Sequence, residues 1–431
     1  MKARELFSSR IATILTMIGV AVGLGNVWRF PYMMGQYGGS AFLVVYVVFV
    51  LIFAIPAVTA EWSLGRYTRH GPIGAMQRAF GPFGKWLGYL LVLTVLIANS
   101  YYVVIVGSVA FSAIFSVFTG FTAASIPLYE TLLGNGVLQA IIALAVIVAA
   151  LWVIHRGIGK GIERVSKLFV PLFGVMIVTL IVMALRLPGA TTALGAFLAP
   201  DFSQLTPTSV FAALGQAFFS LSLGGTFYLV YGSYLRDEEN IPKAAIATGI
   251  GDASAALLAS LFIVPTVLAL GLNMQAGPSL IFETLPRMFA EIPAGRFVGT
   301  AFLLGLWMMA FLSTVAAFQV IVAALTDSFD LSLTKAGLIV GGVEAVLMLP
   351  SALHPEIIGT LDLIFGSGMQ MLGSGLTIVA LFWGCDKAVA VSQIFGGRTD
   401  GIRRLYLGWL RWVVPAILGV MLLLYIADSL G

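Results

Sequence analysis

Hydrophobic residues in this chain form long runs that are separated by short polar stretches. A helix needs about 20 apolar residues to cross a bilayer, and more when it is tilted. Eleven runs approach or exceed that length and predict eleven transmembrane helices: 11–35, 40–66, 86–119, 134–154, 164–186, 207–235, 243–272, 296–326, 336–351, 357–384 and 406–427. The stretch 273–295 is amphipathic and contains three prolines, so we expect an external loop with short helices there.

Two of these runs carry a glycine-rich interruption next to polar residues, at 19–26 in the first and at 220–226 in the sixth. Interrupted helices five spans apart are typical of transporters built from inverted repeats. We therefore predict an all-α polytopic membrane protein with a 5+5 inverted-repeat fold. Residues 1–431 would form a single transmembrane domain, with repeats at roughly 11–186 and 207–384 and an extra helix at 406–427. Alternatively, the glycines merely allow close helix packing.

Composition supports a lipid environment. Hydrophobic residues make up 60% of the 431 positions and charged residues 10%, against about 25% charged in soluble domains. Mean hydropathy is +1.02. The basic residues do not alternate with aromatic ones on a polar face, so the lipid bilayer and not a nucleic acid is the expected partner.

Charge asymmetry predicts the orientation of the chain. With a cytoplasmic N-terminus, nineteen Lys and Arg fall in inner segments and only Arg186, Arg287 and Arg296 in outer ones. An odd number of spans then places the C-terminus outside. The basic start could mimic a signal peptide, but no small-residue cleavage site follows it, so we interpret it as a retained first helix. Short loops and eleven spans suggest a bacterial cytoplasmic (inner) membrane.

The residue pattern does not predict an enzyme active site, a zinc site or an iron–sulfur site. A single cysteine, Cys385, excludes an intramolecular disulfide, and the three histidines lie far apart, so a zinc or iron–sulfur site is not expected. No convergent nucleophile, Gly-x-Ser-x-Gly motif or phosphate loop is present, which argues against an enzyme.

Charged residues inside the predicted spans are the first candidates for function, because charges in the hydrocarbon region are costly. They are Arg29, Glu61, Asp252, Glu344 and Asp362. Asp252 either closes a binding site or caps a helix at the membrane surface, since Gly249 and Gly251 precede it. Glu344 is either a packing partner of the ninth helix or a protonated buried acid.

Unwound helices expose carbonyls that suit sodium and amide groups that suit a carboxylate. Asn26 lies at one break, and Ser220 and Ser222 lie at the other. The two interruptions together thus offer ligands for a cation and for an anionic group of a substrate.

Four motifs resemble those of the neurotransmitter:sodium symporter family. The segment 23–31 (GLGNVWRFP) looks like its first-helix signature, and 61–67 (EWSLGRY) resembles its second helix. Tyr101-Tyr102 and 214–222 (LGQAFFSLS) resemble the third and sixth helices. The resemblance covers nearly the whole chain, and eleven spans match several bacterial members that lack a twelfth helix.

The resemblance implies sodium-coupled symport by alternating access. The first sodium would bind the Ala21 carbonyl, Asn26, Ser220 and Asp252. The substrate carboxylate would complete that site and contact the Leu24 and Gly25 amides and the Tyr102 hydroxyl. The substrate amine would meet carbonyls near Ala21, Phe219 and Ser222. An ion shared with the substrate makes the two binding events mutually dependent.

The second sodium would use the Gly19 and Val22 carbonyls and hydroxyls of the eighth helix. A gapless comparison places Met309, Leu312 and Ser313 there and loses one hydroxyl. A shift of one residue gives Ala310, Ser313 and Thr314 and requires a local bulge. We favour the shifted register.

The resemblance also bears on the substrate. Biogenic-amine members place an aspartate where this chain has Gly23, so glycine implies a substrate with its own carboxylate, an amino acid. Ala98 and Gly225 replace larger side chains and would enlarge the cavity for a bulky apolar or aromatic group. Ala317 or Phe318 would form part of the wall.

Chloride is not expected. Tyr46, Gln216 and Ser220 match positions that surround the anion in chloride-dependent members, but Asp252 and Ala256 stand at the other two. The Asp252 carboxylate would repel an anion. It would serve as the internal negative charge and could take up a proton on the empty return step.

The gates follow from the same comparison. Arg29 and Asp362 would face each other across the outer vestibule, above Tyr102 and Phe219. Arg4 and Asp327 would pair at the cytoplasmic mouth near Tyr234 and Phe7, or they are ordinary interfacial charges. A proton-coupled amino-acid transporter on the same fold, or a channel, remains the alternative.

Overall fold

The computed structural model describes residues 5–271, 280–398 and 400–430, and within these ranges every regular element is a helix. In chain order the helices are α1 (Arg10–Ala21), α2 (Gly25–Gln36), α3 (Gly39–Thr68), α4 (Pro72–Phe80), α5 (Pro82–Phe118), α6 (Ile126–Leu133), α7 (Gly136–His155), α8 (Ile158–Ala184), α9 (Ala190–Leu198), α10 (Pro207–Ser220), α11 (Phe227–Gly232), α12 (Ile241–Ala269), α13 (Leu285–Glu291), α14 (Gly295–Phe329), α15 (Leu333–Leu353), α16 (Ile357–Gly384), α17 (Lys387–Phe395) and α18 (Gly401–Leu424).

Nine helices in the described ranges are long and apolar enough to cross a membrane: α3, α5, α7, α8, α12, α14, α15, α16 and α18. Helices α1 and α2 form a tenth span that is bent by 58° at a short break. The sixth predicted segment consists of α10 and α11, separated by 221–226, and each of the two is too short to cross alone. All eleven predicted segments are thus helical, and the first and sixth are interrupted as expected.

The first break has a local cause in Asn26. The last regular hydrogen bond of α1 runs from the Val22 amide to the Ile18 carbonyl. The Gly23 amide then donates to the Asn26 side chain, with 3.0 Å between Gly23 N and Asn26 Oδ1. A side chain that accepts from the backbone three residues earlier competes with the helical pattern and ends it.

The second break is built from left-handed residues. Ser222, Gly224 and Thr226 have φ values of 52°, 82° and 57°, which a right-handed helix cannot accommodate. At Gly224 an added Cβ would lie 1.5 Å from the Gln370 carbonyl oxygen, so only glycine fits against α16. The Gly224 amide donates to Glu61 Oε1 of α3 at 3.0 Å, which ties the break to a third helix.

Helix α14 runs through the centre of the bundle and is buried over most of its length. It packs against α5, α7 and α8. In the predicted external loop 273–295, a π-helical turn at Leu280–Thr284 is followed by the short helix α13. The short helices expected in this part of the loop are therefore present. Residues 273–279 of that loop lie outside the described ranges.

Candidate functional site

Asn26, Ser220 and Asp252 come together at the two breaks. Asn26 Nδ2 lies 2.9 Å from Ser220 Oγ and 2.6 Å from Asp252 Oδ1. Ser220 Oγ donates to Asp252 Oδ2 at 2.7 Å. All three side chains are buried. The three oxygen-bearing groups come from α2, α10 and α12, so one ion bound there would join both interrupted spans.

Asp252 is not a helix cap. Helix α12 begins at Ile241 and is capped by Asn240, whose side chain accepts from the Lys243 amide. Asp252 therefore lies about three turns inside the helix, and the capping alternative is wrong. Tyr46 adds a further hydroxyl, 3.3 Å from Ser220 Oγ and 3.4 Å from Asp252 Oδ2.

A cavity of about 810 Å³ lies directly beside this cluster. Nine of the ten predicted substrate residues line it: Ala21, Leu24, Gly25, Ala98, Tyr102, Phe219, Ser220, Ser222 and Ala317. Gly25 and Gly23 keep it open, because an added Cβ would lie 2.8 Å from the Phe219 ring at Gly25, and 3.2 Å from the Tyr102 hydroxyl at Gly23.

Gly225 is the tenth predicted substrate residue, and it does not line the cavity. An added Cβ at Gly225 would lie 2.2 Å from Phe227 Cε2, and Phe227 is itself a lining residue. The expectation that Gly225 enlarges the cavity is therefore wrong, because the Phe227 ring fills that space. Phe227 was not predicted as a cavity residue from the sequence, although its position directly after the second break is a signal that could have identified it.

Ser313 marks the candidate second ion site. Its Oγ lies 3.2 Å from the Val20 carbonyl and 3.4 Å from the Val22 carbonyl, at the first break. Thr314 Oγ1 donates to the Ala310 carbonyl at 3.2 Å. Leu312 packs its side chain against Gly19, where an added Cβ would lie 2.7 Å from Leu312 Cδ1. Helix α14 is a continuous α-helix from Gly295 to Phe329, so the expected local bulge is absent there.

Of the two predicted outer-gate residues, Asp362 lines the cavity, and Arg29 contacts the lining residue Phe219. Arg29 Nη1 donates to Gln216 Oε1 at 2.8 Å, and its guanidinium lies 4.3 Å from the centroid of the Phe219 ring. Asp362 Oδ1 accepts from the Tyr101 hydroxyl at 3.0 Å. The cavity continues past Asp362 to Glu130 and Arg287, which form a half-exposed ion pair of 3.1 Å. We call this end of the bundle the vestibule face.

The opposite face is closed over the cavity. Phe7 is 2% exposed and packs against Tyr231 and Tyr234, with ring centroids 6.2 and 6.3 Å apart. Tyr234 accepts from Gln319 Nε2 at 2.6 Å. Asp327 Oδ2 accepts from the Gly71 amide at 2.6 Å. Arg4, its predicted partner, lies outside the described residues.

Comparison with known proteins decides the family. The model of the sodium:neurotransmitter symporter family matches residues 4–131 and 121–397, which together span most of the chain. The chain belongs to this family. The resemblance of the four motifs is thereby confirmed, and the protein is a sodium-dependent, multi-pass membrane transporter.

Relatives of this symporter match it nearly end to end. An uncharacterised sodium-dependent transporter of Haemophilus influenzae is 29% identical over 97% of this chain and 98% of its own length. A sodium-dependent transporter of Methanocaldococcus jannaschii is 32% identical over 89% of this chain and 83% of its own length. The crystal structure of MhsT in complex with L-phenylalanine superimposes with a TM-score of 0.88 and 33% identity, covering 98% of this symporter and 99% of MhsT. The likeness confirms the all-helical inverted-repeat fold.

Proposed function

We propose that this symporter couples sodium to the uptake of an amino acid with a bulky or apolar side chain. One observation carries the proposal: the Asn26–Ser220–Asp252 cluster directly adjoins the cavity floor at Leu24 and Gly25. A sodium ion in the cluster could complete its coordination with a substrate carboxylate, so that each ligand would raise the affinity for the other. MhsT, with its bound L-phenylalanine, supports an amino acid as the substrate class.

We propose two sodium sites, and the placement of oxygen atoms at the two breaks supports them. The first would consist of the Ala21 carbonyl, Asn26, Ser220 and Asp252. The second would consist of the carbonyls of Gly19, Val22 and Ala310 and the hydroxyls of Ser313 and Thr314. The approach of Ser313 to the Val22 carbonyl supports an ion site at this break in either register. We prefer the set with Thr314 because Thr314 adds a hydroxyl that Met309 and Leu312 lack.

Chloride would have no role in this cycle. The Asp252 carboxylate lies among Asn26, Tyr46 and Ser220, which are neutral donors. A fixed negative charge already occupies the place where an anion would bind, and like charges at that distance repel strongly in a buried site.

Alternating access gives the two faces their roles. In our proposal the vestibule face is extracellular, the closed face with Phe7 and Tyr234 is cytoplasmic, and the chain lies in the inner membrane with its N-terminus inside. Arg29 and Asp362 would close the vestibule above the bound substrate, and Asp327 would latch the inner mouth together with Arg4. The proposed moving halves are the repeats 11–186 and 207–384 of one transmembrane domain, with 406–427 as an added helix.

The cavity walls favour a large side chain. Ala98 and Ala317 present only methyl groups to it, and much of its lining is apolar. Phe227 and Phe219 supply aromatic surface against which a phenyl or branched aliphatic group could pack.

The test is binding of radiolabelled amino acids, including phenylalanine, leucine and glycine, to the purified protein in sodium or in potassium. We expect sodium-dependent binding of the larger substrates, and loss of about 10- to 100-fold in affinity in Asn26→Ala, the range for a lost hydrogen bond to a charged group. Asn135→Ala removes an asparagine that caps α7 and has no hydrogen bond to the cluster; it is the matched control and should bind normally. Equal binding in both salts would instead favour the proton-coupled carrier.

A further inference from the structure

Glu344 is a buried carboxyl that the proposed transport cycle does not use. It lies in the membrane-spanning helix α15 with 0% of its surface exposed. Its Oε1 accepts a hydrogen bond from Asn99 Nδ2 of α5 at 3.0 Å. Its Oε2 and the Oδ1 of Asn99 are both buried and have no hydrogen-bond partner in the described part of the chain. The pair of Glu344 and Asn99 therefore contains two oxygen acceptors, Glu344 Oε2 and Asn99 Oδ1, to which no described group donates a hydrogen bond.

No cation compensates the Glu344 carboxyl among the described residues. Helix α15 packs against α5, α7, α14 and the start of α16. Tyr101 of α5 bonds Asp362 of α16, and the Tyr102 hydroxyl lies beside Gly23. The other charged or titratable residues of α5, α7, α14 and α15 lie near helix ends: Lys85, Tyr89, His155, Arg296, Asp327 and Lys335. An isolated carboxylate in such a place takes up a proton in preference to remaining charged.

A proton is the donor that this pair lacks. A neutral carboxylic acid and a carboxamide can exchange two hydrogen bonds, one from the amide N–H and one from the acid O–H. Asn99 Nδ2 already donates to Oε1, so a proton on Oε2 is left to serve Asn99 Oδ1.

A polar recess connects this pair with the vestibule. The lining of the cavity includes Asn99 itself, and it also includes Ser108, Gln139 and Ser351, between α5, α7 and α15. Ser351 follows Glu344 by seven residues and so lies on the same face of the helix. Its Oγ is buried and has no partner among the described residues. Hydroxyl and amide groups thus lead from the cavity to the carboxyl.

We propose that Glu344 and Asn99 form a proton-binding site, separate from Asp252, that exchanges its proton with the vestibule through this recess. The ligand is a proton and not a metal ion, because hard cations bound by proteins take about six oxygen ligands. In the described part of the chain, the oxygens at this site that lack a hydrogen-bond partner are Glu344 Oε2, Asn99 Oδ1 and Ser351 Oγ, too few for such a cation.

The site is placed to communicate with substrate binding. Asn99 directly follows Ala98 and precedes Tyr102 by three residues on α5, and both neighbours line the cavity. Loss of the proton would leave a carboxylate facing the Asn99 carbonyl oxygen, and the repulsion would disturb this part of α5. Proton binding and substrate binding then strengthen each other.

The first test is infrared difference spectroscopy of the purified full-length protein between acidic and alkaline pH, without substrate. We expect the protonated-carboxyl signal of the wild type to lose one component in Glu344→Gln, and that component to remain in Glu61→Gln and Asp252→Asn, the matched controls for two other buried acids. A protonated-carboxyl spectrum that is the same in Glu344→Gln and in the wild type would overturn the proposal. If Glu344→Gln does not fold, carbodiimide labelling of wild-type Glu344, followed by mass spectrometry, should decrease as the pH rises. Labelling that is absent or independent of pH would also overturn it.

The second test is sodium-driven uptake of radiolabelled L-phenylalanine into proteoliposomes at varied external pH, and this arm rests on the proposed function. Uptake by the wild type should fall by about ten-fold per pH unit above the midpoint, as the protonated fraction does. Glu344→Gln, which mimics the neutral acid, should remain level over that range. A mutant profile that follows the wild type would contradict the coupling. The infrared arm needs no amino acid, so it stands even if the substrate class is wrong.

Discussion

Asp252 shows how much a single side chain can decide about ion dependence. It accepts hydrogen bonds from Asn26 and Ser220 and is buried beside the cavity. A buried cation without a compensating charge is strongly unfavourable, and the removal of one partner from a buried pair costs about 3–5 kcal/mol. Asp252 would supply that compensation from within the protein.

Substitution of Asp252 by serine should therefore create a need for an external anion. We expect uptake by Asp252→Ser to be nearly lost when gluconate replaces chloride, a drop of 100-fold or more for the energy range of about 3–5 kcal/mol, and to recover in chloride. Wild-type uptake, measured in parallel, should be equal in both salts. Stimulation of the wild type by chloride would contradict the assignment of Asp252 as the internal anion.

At the scale of the element, the six residues between α10 and α11 are held in an unwound shape by close contacts. Three of them adopt positive φ, and two backbone groups lie against α16: the Gly224 carbonyl approaches Gly373, where an added Cβ would be 2.3 Å away, and Gly224 itself approaches Gln370. Glu61 anchors the same turn from α3. The unwound shape is therefore imposed by two neighbouring helices as well as by the local sequence.

Gly224→Ala should destabilise the fold. A non-glycine residue at positive φ costs about 1–3 kcal/mol, and the added methyl would also clash with the Gln370 carbonyl. The measurement is the thermal midpoint of the purified protein in detergent, together with the monodisperse fraction. Gly375→Ala on the same helix α16, where nothing lies within 4 Å of the added Cβ, should leave both unchanged or slightly improved. An unaltered midpoint in Gly224→Ala would argue against the close approach.

At the scale of the whole molecule, access is asymmetric. The cavity extends from the ion cluster to Glu130 and Arg287 on the vestibule face, while Phe7, Tyr231 and Tyr234 seal the other side. The N-terminal segment is fastened there, because Glu5 accepts from the Ile158 and Gly159 amides at 2.9 Å. Within the part of the chain that the structure describes, the cavity thus reaches one face of the bundle and is closed at the other.

Cysteine labelling can show which side that is. In a Cys385→Ser background, which removes the single native thiol, a membrane-impermeant maleimide applied to intact spheroplasts should label Glu130→Cys. It should label Asp330→Cys only after permeabilisation, because Asp330 follows the end of α14 at the opposite face. Both positions are exposed. The reverse labelling pattern would mean that the membrane topology is opposite to the one we propose.

The sequence by itself determined the spans, the two interruptions and the family. These features depend on local properties: runs of apolar residues long enough for a bilayer, glycines next to polar residues, and short motifs whose residues adjoin in the chain. Asn26 and Ser220 could be named for the same reason, since each lies at a break that is visible in the sequence.

Only the tertiary structure decided how distant helices meet. It placed Asp252 inside α12 beside Asn26, filled the space at Gly225 with Phe227, turned Ser313 toward the Val20 and Val22 carbonyls without a bulge, and paired Glu344 with Asn99. Each of these outcomes depends on the rotation and depth of one helix against another. Apolar side chains on every face of a membrane helix leave that rotation undetermined in the sequence, and close packing of the folded bundle fixes it.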